Sequence, residues 1–237
     1  MISVIIPAKN EEVGIGPTIL SLKNQDFKGE YEIILVDGNS SDRTVEIAKK
    51  HIKDVYVQTP KGPAGARNYG AEKAKYEIIA FIDADCIARR DWLSRIAKNF
   101  EDKKLIGLGG ILKPSEPRLI DTFMFTLFSN WWVRVSSYFG LWQLYGNNCA
   151  YRKKEFLKVK GFSTAVSFFE DTELSMRIRK DGRLKVDGNL VVYTSTRRFK
   201  QKGYAKVFRQ NTMAFINFLR GSKIDTPYFE TIKKGQL

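Results

Sequence analysis

Histidine is nearly missing: His51 is the single one in 237 residues. That excludes a histidine-rich metal site, and any Ser-His-Asp or Cys-His catalyst would have to run through His51. It closes the second expected helix, where a cation suits the dipole, and it takes no catalytic role. Cysteine is almost as scarce. Cys86 and Cys149 form neither a CxxC pair nor a disulfide framework, which predicts two reduced thiols in a cytosolic protein. No apolar run reaches the ~20 residues that a membrane-spanning helix requires. Ile2–Pro7 is too short for a signal h-region and has no basic segment before it, so no targeting sequence is expected. Linkers, repeats and low-complexity tracts are absent, which predicts one continuous domain over 1–237. Acidic residues are also in deficit, 26 against 40 Lys and Arg, for a net charge of +14. The imbalance favours anionic partners: nucleic acid, anionic lipid or phosphorylated metabolites.

What is present is an alternation of short Val/Ile-rich runs with helical patterns. Ile2–Ile6 reads as a buried strand, followed by a helix through Ile15, Ile19, Leu20 and Leu22 to Asn24. Glu32–Val36 is a second strand, and Arg43–Lys50 a helix with Ser41 or Asp42 as its N-cap. Asp54–Val57, Gly62–Ala74 and Ile78–Ile82 continue the pattern as strand, helix and strand. Such alternation predicts βαβ units and a parallel sheet. In sheets of this kind, ligands bind beyond the carboxyl ends of the strands. Pro7–Glu12, Asp37–Asp42 and Asp83–Asp85 all follow strand ends, so three polar loops are aimed at one crevice. The second half is less regular. Strands are expected at Ile106–Lys113, Gly146–Arg152 and Leu184–Tyr193, and helices at Phe168–Lys180 and Tyr204–Arg220, the last amphipathic and basic.

Each motif has a plain alternative. In extended backbone the carboxylates of Asp83 and Asp85 point to the same side, a pattern that suits a hard divalent cation, although a solvated turn would look alike. Asp37 is placed to accept from a base or ribose, whereas Asp42 could serve only as a cap. Gly62-Pro-Ala-Gly65-Ala-Arg67-Asn68 opens a helix where glycine and arginine would admit phosphate, but it matches neither a Walker loop nor GxGxxG. Glu170 and Asp171 sit in the first turn of a helix, where acidic residues offset the dipole or supply a general base. The preceding Phe168-Phe169 would raise a carboxyl pKa by lowering local polarity. Basic runs at Arg152–Lys154 and Arg197-Arg198 suit a solvated face, or charge stabilisation beside a diphosphate.

Taken in order, Val4–Glu11, Val36–Thr44, Gly65–Asn68, Asp83–Asp85 and Phe169–Asp171 resemble the motifs of the family 2 glycosyltransferases of the GT-A fold. The likeness covers residues 2 to about 180. It implies an α/β fold with a mainly parallel, Rossmann-like central sheet flanked by helices. Residues 1–113 would bind the nucleotide sugar and 114–237 the acceptor. It also implies an inverting, hexosyltransferase-type transfer from a UDP- or GDP-sugar. Pro7, Ala8, Asn10, Glu11, Asp37, Gly65 and Arg67 would line the nucleotide pocket, with Asp37 on the base. Asp83 and Ala84 would face the ribose or the metal's waters, and Asp85 would bind Mg²⁺ or Mn²⁺. Asp171, paired with Glu170, would be the base, and Asn148 would lie beside the sugar. Many relatives carry a further His ligand where this chain reads Val192–Arg198, so Arg197 or Arg198 would take part of the diphosphate charge. Nucleic acid is not among the partners implied.

Leu119–Tyr145 is strongly aromatic: Ile120, Phe123, Met124, Leu127, Phe128, Trp131, Val135, Tyr138 and Trp142 recur at helical spacing. Such a stripe suits a core helix, a homodimer face, or peripheral contact with the inner face of a membrane, with a polyprenyl-linked acceptor. The uncharged interval between Asp121 and Arg134 spans only ~18 Å as helix, too short to cross a bilayer. Two rivals remain: a nucleotidyltransferase that forms sugar nucleotides, and a non-catalytic basic module. The first lacks a glycine-rich NTP loop after strand one, and the second leaves Asp83, Asp85, Glu170 and Asp171 unexplained.

Overall fold

The structure is a computed structural model, and it describes residues 1–58, 62–116, 118–131, 135–137, 142–165, 169–196 and six positions between 203 and 213. Eight strands form one sheet in the order β3-β2-β1-β4-β7-β6-β8-β5. They are β1 (Ile2–Ala8), β2 (Tyr31–Asp37), β3 (Asp54–Val57), β4 (Ile78–Phe81), β5 (Cys86–Ala88), β6 (Leu105–Pro114), β7 (Cys149–Arg152) and β8 (Arg183–Thr194). Among the described residues they are accompanied by α1 (Ile15–Lys23), α2 (Thr44–Lys49), α3 (Gly62–Lys73), α4 (Trp92–Asn99), α5 (Leu119–Met124), α6 (Lys153–Lys158) and α7 (Glu170–Ile178).

The first four strands pair in parallel, as the alternating pattern predicts. β1 reads as an unbroken apolar run because both faces are covered. Val4 and Ile6 pack with Ile15, Ile19 and Trp92 on one side, whereas Ile5 packs with Ala66, Ala71 and Phe81 on the other. Beyond β4 the sheet becomes mixed: β7 runs antiparallel to both β4 and β6, and β5 antiparallel to β8. This reversal brings the start of β7, where Cys149 pairs with Phe81, to the same edge as the ends of β1, β2 and β4. The loop ahead of β7 therefore meets the three polar loops.

Several elements differ from the sequence reading. β5, α4 and α6 were not expected; α4 buries Trp92, Leu93 and Ile96 on one side. α2 begins at Thr44 rather than Arg43, and Asp42 Oδ1 accepts from the Thr44 N–H at 3.0 Å. The aromatic segment is not one helix. α5 passes into a π-helical stretch, Phe125–Trp131, while Trp142 and Leu144 lie outside any helix and pack into the core. Residues 132–134 and 138–141 lie outside the described residues, as do Arg197, Arg198 and most of the expected helix at 204–220. Among the described residues, no helix is long and apolar enough to cross a membrane.

Candidate active site

The loops after β1 and β2 are tied to each other. The Asn10 N–H donates to Ser40 Oγ at 2.8 Å, and Asn10 Oδ1 accepts from the Ser41 N–H at 2.9 Å. The Glu11 N–H donates to Thr44 Oγ1 at 2.8 Å, and the Glu12 N–H to Asp42 Oδ2 at 3.2 Å. Asn10 and Asn39 take positive φ, a conformation asparagine tolerates better than most residues. Asp37 is 0 % exposed, and both of its oxygens accept from Ser40, from the N–H at 2.7 Å and from the hydroxyl at 2.5 Å. Its side chain shapes the loop. Pro7 and Ala8 end β1, in register with Val36 and Asp37 respectively.

The Asp83-Ala84-Asp85 turn sits one strand over. Ala84 is buried, and its carbonyl accepts from Thr18 Oγ1 at 2.8 Å. Gly14 lies so close that a Cβ there would stand 2.6 Å from the Ala84 oxygen, so only glycine lets α1 start against this turn. Asp85 Oδ1 accepts from the Cys86 thiol at 3.6 Å. The two aspartates supply the hard oxygens that Mg²⁺ or Mn²⁺ prefers. Among the described residues no three His, Cys, Asp or Glu side chains converge, so the protein alone forms no closed cage. That donor set fits a cation that completes its shell with phosphate and water.

Arg67, expected to line the nucleotide pocket, is buried between two carboxylates. Its side chain is only 6 % exposed, clamped between Asp83 at 2.7 Å and Glu170 at 3.2 Å. Gly65 precedes it in the same helix. Burial works against the guanidinium charge, but Asp83 and Glu170 outweigh it and hold the group protonated. Asn148, expected beside the sugar, has its side chain turned into the core. It is 0 % exposed, and its amide is consumed by the carbonyls of Ile111 and Leu190 and by the indole of Trp92.

Glu170 and Asp171 open α7 behind Phe169, which holds a left-handed backbone at φ 62°, ψ 29°. That conformation is costly for an aromatic residue, and it turns the chain so that the acid pair meets Arg67 and the loop before β7. Asp171 Oδ2 accepts from the Gly146 N–H at 3.2 Å, and Oδ1 from the Thr172 N–H at 2.7 Å. Burial, followed by the neighbouring Glu170 charge, pushes the Asp171 carboxyl up to about 6, against the pull of those two N–H groups and Arg67. A carboxylate that titrates near 6 can take a proton at neutral pH. Sequence reasoning missed Phe162, whose ring lies 5.4 Å from the Arg67 guanidinium carbon. An aromatic residue after Gly161 gives no signal of that partnership.

The model of glycosyl transferase family 2 matches residues 3–154. An uncharacterized glycosyltransferase of Haemophilus influenzae is 38% identical over 101 residues, 40% of each chain. A dolichyl N-acetyl-α-D-glucosaminyl phosphate 3-β-D-2,3-diacetamido-2,3-dideoxy-β-D-glucuronosyltransferase of Methanococcus voltae is 26% identical over 98% of this chain and 76% of its own length. The mannosyltransferase PcManGT of Pyrobaculum calidifontis, solved with GDP-Man and Mn²⁺, superposes with a TM-score of 0.72 at 22% identity, over 92% of this chain and 64% of that one. The chain thus spans 40% of the Haemophilus relative and under two thirds of PcManGT. The α/β architecture is that of the GT-A glycosyltransferases. With the family model matching more than half of its residues, the chain belongs to glycosyl transferase family 2.

Proposed function

We propose that the chain transfers a sugar, with inversion, from a nucleoside-diphosphate sugar to an acceptor hydroxyl or phosphate. The observation that carries this reading is Asp171, a partly buried carboxyl raised to about 6 at the sheet edge where four loops meet. In this reading Asp171 takes the proton of an acceptor hydroxyl as its oxygen attacks the anomeric carbon, and the bond from that carbon to the diphosphate oxygen breaks. One carboxylate suffices, because the leaving group departs as an anion and requires no acid, unlike hydrolysis of a glycoside. The backbone of Pro7–Glu11, the Asp37 loop and Ala84 would frame the nucleotide. Asp85, with Asp83 beside it, would hold Mg²⁺ or Mn²⁺, which when bound stabilises charge on the diphosphate. The GDP-Man and Mn²⁺ of the Pyrobaculum neighbour support that choice.

Residues 1–113 would form the donor side and 114–237 the acceptor side of one domain. The acceptor we favour is lipid-linked, as the dolichyl-phosphate name of the Methanococcus relative suggests. Leu119, Ile120, Phe123 and Leu127 are exposed on one side of α5 and its continuation, which suits peripheral contact with the inner face of a membrane. Calorimetry with UDP and GDP, each with and without Mn²⁺, followed by transfer assays on polyprenyl-phosphate acceptors, tests the reading. Failure to bind either nucleotide would sink it.

A further inference from the structure

Arg67 does nothing in the proposed reaction that its position explains. A phosphate-binding arginine presents its terminal nitrogens to the crevice, but here both are committed inside the protein. Nη2 donates to Asp83 Oδ1 and Nη1 to Glu170 Oε1, and Nε is buried with no hydrogen-bond partner. The Phe162 ring covers the guanidinium, and that ring is itself fixed: the Phe162 backbone exchanges two 2.8 Å hydrogen bonds with the side chain of Asn68. Gly146 lies against the group as well, where a Cβ would stand 3.1 Å from Cζ. Burying an arginine this way is costly unless carboxylates neutralise it, and two do.

We infer that Arg67 is a positioning residue: it pins Glu170 to Asp83, limits where Gly146 can lie, and so fixes the groups that hold the Asp171 carboxyl. The inference rests on the reading of Asp171 as the base. The groups that face Asp171 are Glu170 and the Thr172 N–H on α7, the Gly146 N–H, Arg67 from α3, and Cys149 and Tyr151 from β7. Burial pushes both the thiol and the phenol up, so they stay neutral near pH 7. Glu170 and Arg67 both act on Asp171 by charge, with opposite sign. Removing one should move its titration upward and removing the other downward. A purely structural role predicts no such pair of opposed shifts.

The test is an infrared titration of the protonated carboxyl band of the full chain, assigned to Asp171 by its loss in Asp171→Asn. It runs beside kcat and the affinity for UDP and GDP with Mn²⁺. Arg67→Met should raise the Asp171 titration by about one pH unit, and Glu170→Gln should lower it by about one. At pH 6, kcat of Arg67→Met should fall roughly fivefold while nucleotide affinity holds within about threefold, and Arg67→Lys should recover part of the loss. If Arg67→Met fails to fold by circular dichroism, Arg67→Gln decides: an upward shift supports the inference and none overturns it. An unmoved titration with nucleotide affinity down ~10-fold would instead make Arg67 a nucleotide ligand. Shifts without sugar transfer would sink Asp171 as the base but leave the hold of Arg67 on its carboxyl standing. Transfer with an unmoved titration would sink the role of Arg67 alone.

Discussion

The indole N–H of Trp92 donates to Asn148 Oδ1 at 2.9 Å, with both side chains wholly buried. The bond joins α4 to the loop that enters β7. The other half of the same amide holds the carbonyls of Ile111 and Leu190, so one side chain staples four segments. Asn148→Leu would leave one donor and two acceptors unpaired in the core, each costing about 1–3 kcal/mol. Chemical denaturation should show a loss of at least ~3 kcal/mol. Nucleotide affinity of the remaining folded fraction should be unchanged, because the residue braces the site without lining it.

Asp171→Asn keeps the shape of the side chain and removes its ability to take a proton. The expected result is a fall in kcat of roughly 100-fold or more, with nucleotide binding nearly intact. Steady-state kinetics beside calorimetry checks it. Near-wild-type turnover would transfer the role of base to Glu170.

The same substitution should stabilise the fold, in a pH-dependent way. Asp171 binds its proton more tightly folded, at about 6, than unfolded, at the ordinary carboxylate value of 3.8. Between those values folding takes up a proton, so this group costs stability as pH rises, and the full cost is present above about 6. The shift corresponds to about 2–3 kcal/mol. Melts at pH 8 should therefore place Asp171→Asn above wild type, and the gap should shrink toward pH 4. With Asp171 as the proposed base, wild-type activity should run the other way, rising with pH through about 6.

Asp85→Ala should abolish the gain in nucleotide affinity that Mn²⁺ or Mg²⁺ gives, with little change in affinity without the cation. Few protein ligands face the cation, so the nucleotide-free protein should lose it on gel filtration. Titration calorimetry and metal analysis together decide this. A tightly retained metal that survives Asp85→Ala would break the arrangement.

The α5 side should bind anionic vesicles. Leu119 is 93 % exposed and Phe123 58 %, one helical turn apart, with Arg118 and Lys113 close by in sequence. Each apolar side chain buried in the interface contributes about 1.5–3 kcal/mol, and each nearby cation about 1 kcal/mol. Co-sedimentation with phosphatidylserine vesicles should drop in the Leu119→Ser/Phe123→Ser variant and weaken with salt. Vesicles ignored at low salt would point to a soluble acceptor.

The first half of the chain was legible because its physics is local and periodic. Both faces of β1, β2 and β4 are buried, so apolar runs mark them, and loops rich in Asp, Asn and Ser mark their ends. The acid pair was legible for the same reason, as the head of a patterned helix. What could not be read depends on distant partners. Arg67 meets Glu170 across 103 residues, and nothing in Gly65–Asn68 distinguishes a buried clamp from a phosphate ligand. Asn148 looks like a loop amide until Trp92 and two carbonyls close on it. The left-handed Phe169 is invisible in sequence, because tertiary contacts impose that conformation against its own preference. The short β5 carries too few residues for a period to show.

The bracing between the first two loops also constrains how this molecule can change. The side chains of Asn10, Ser40, Asp42 and Thr44 each accept from a backbone N–H of the opposite loop, so replacing any one of them strips a partner from the other loop. The donors are main-chain groups, which every residue but proline carries. The constraint therefore falls on the acceptors alone. In descendants of this chain, positions 10, 40, 42 and 44 should keep residues with a side-chain oxygen, while the identity of the donating residue at 41 is free of it.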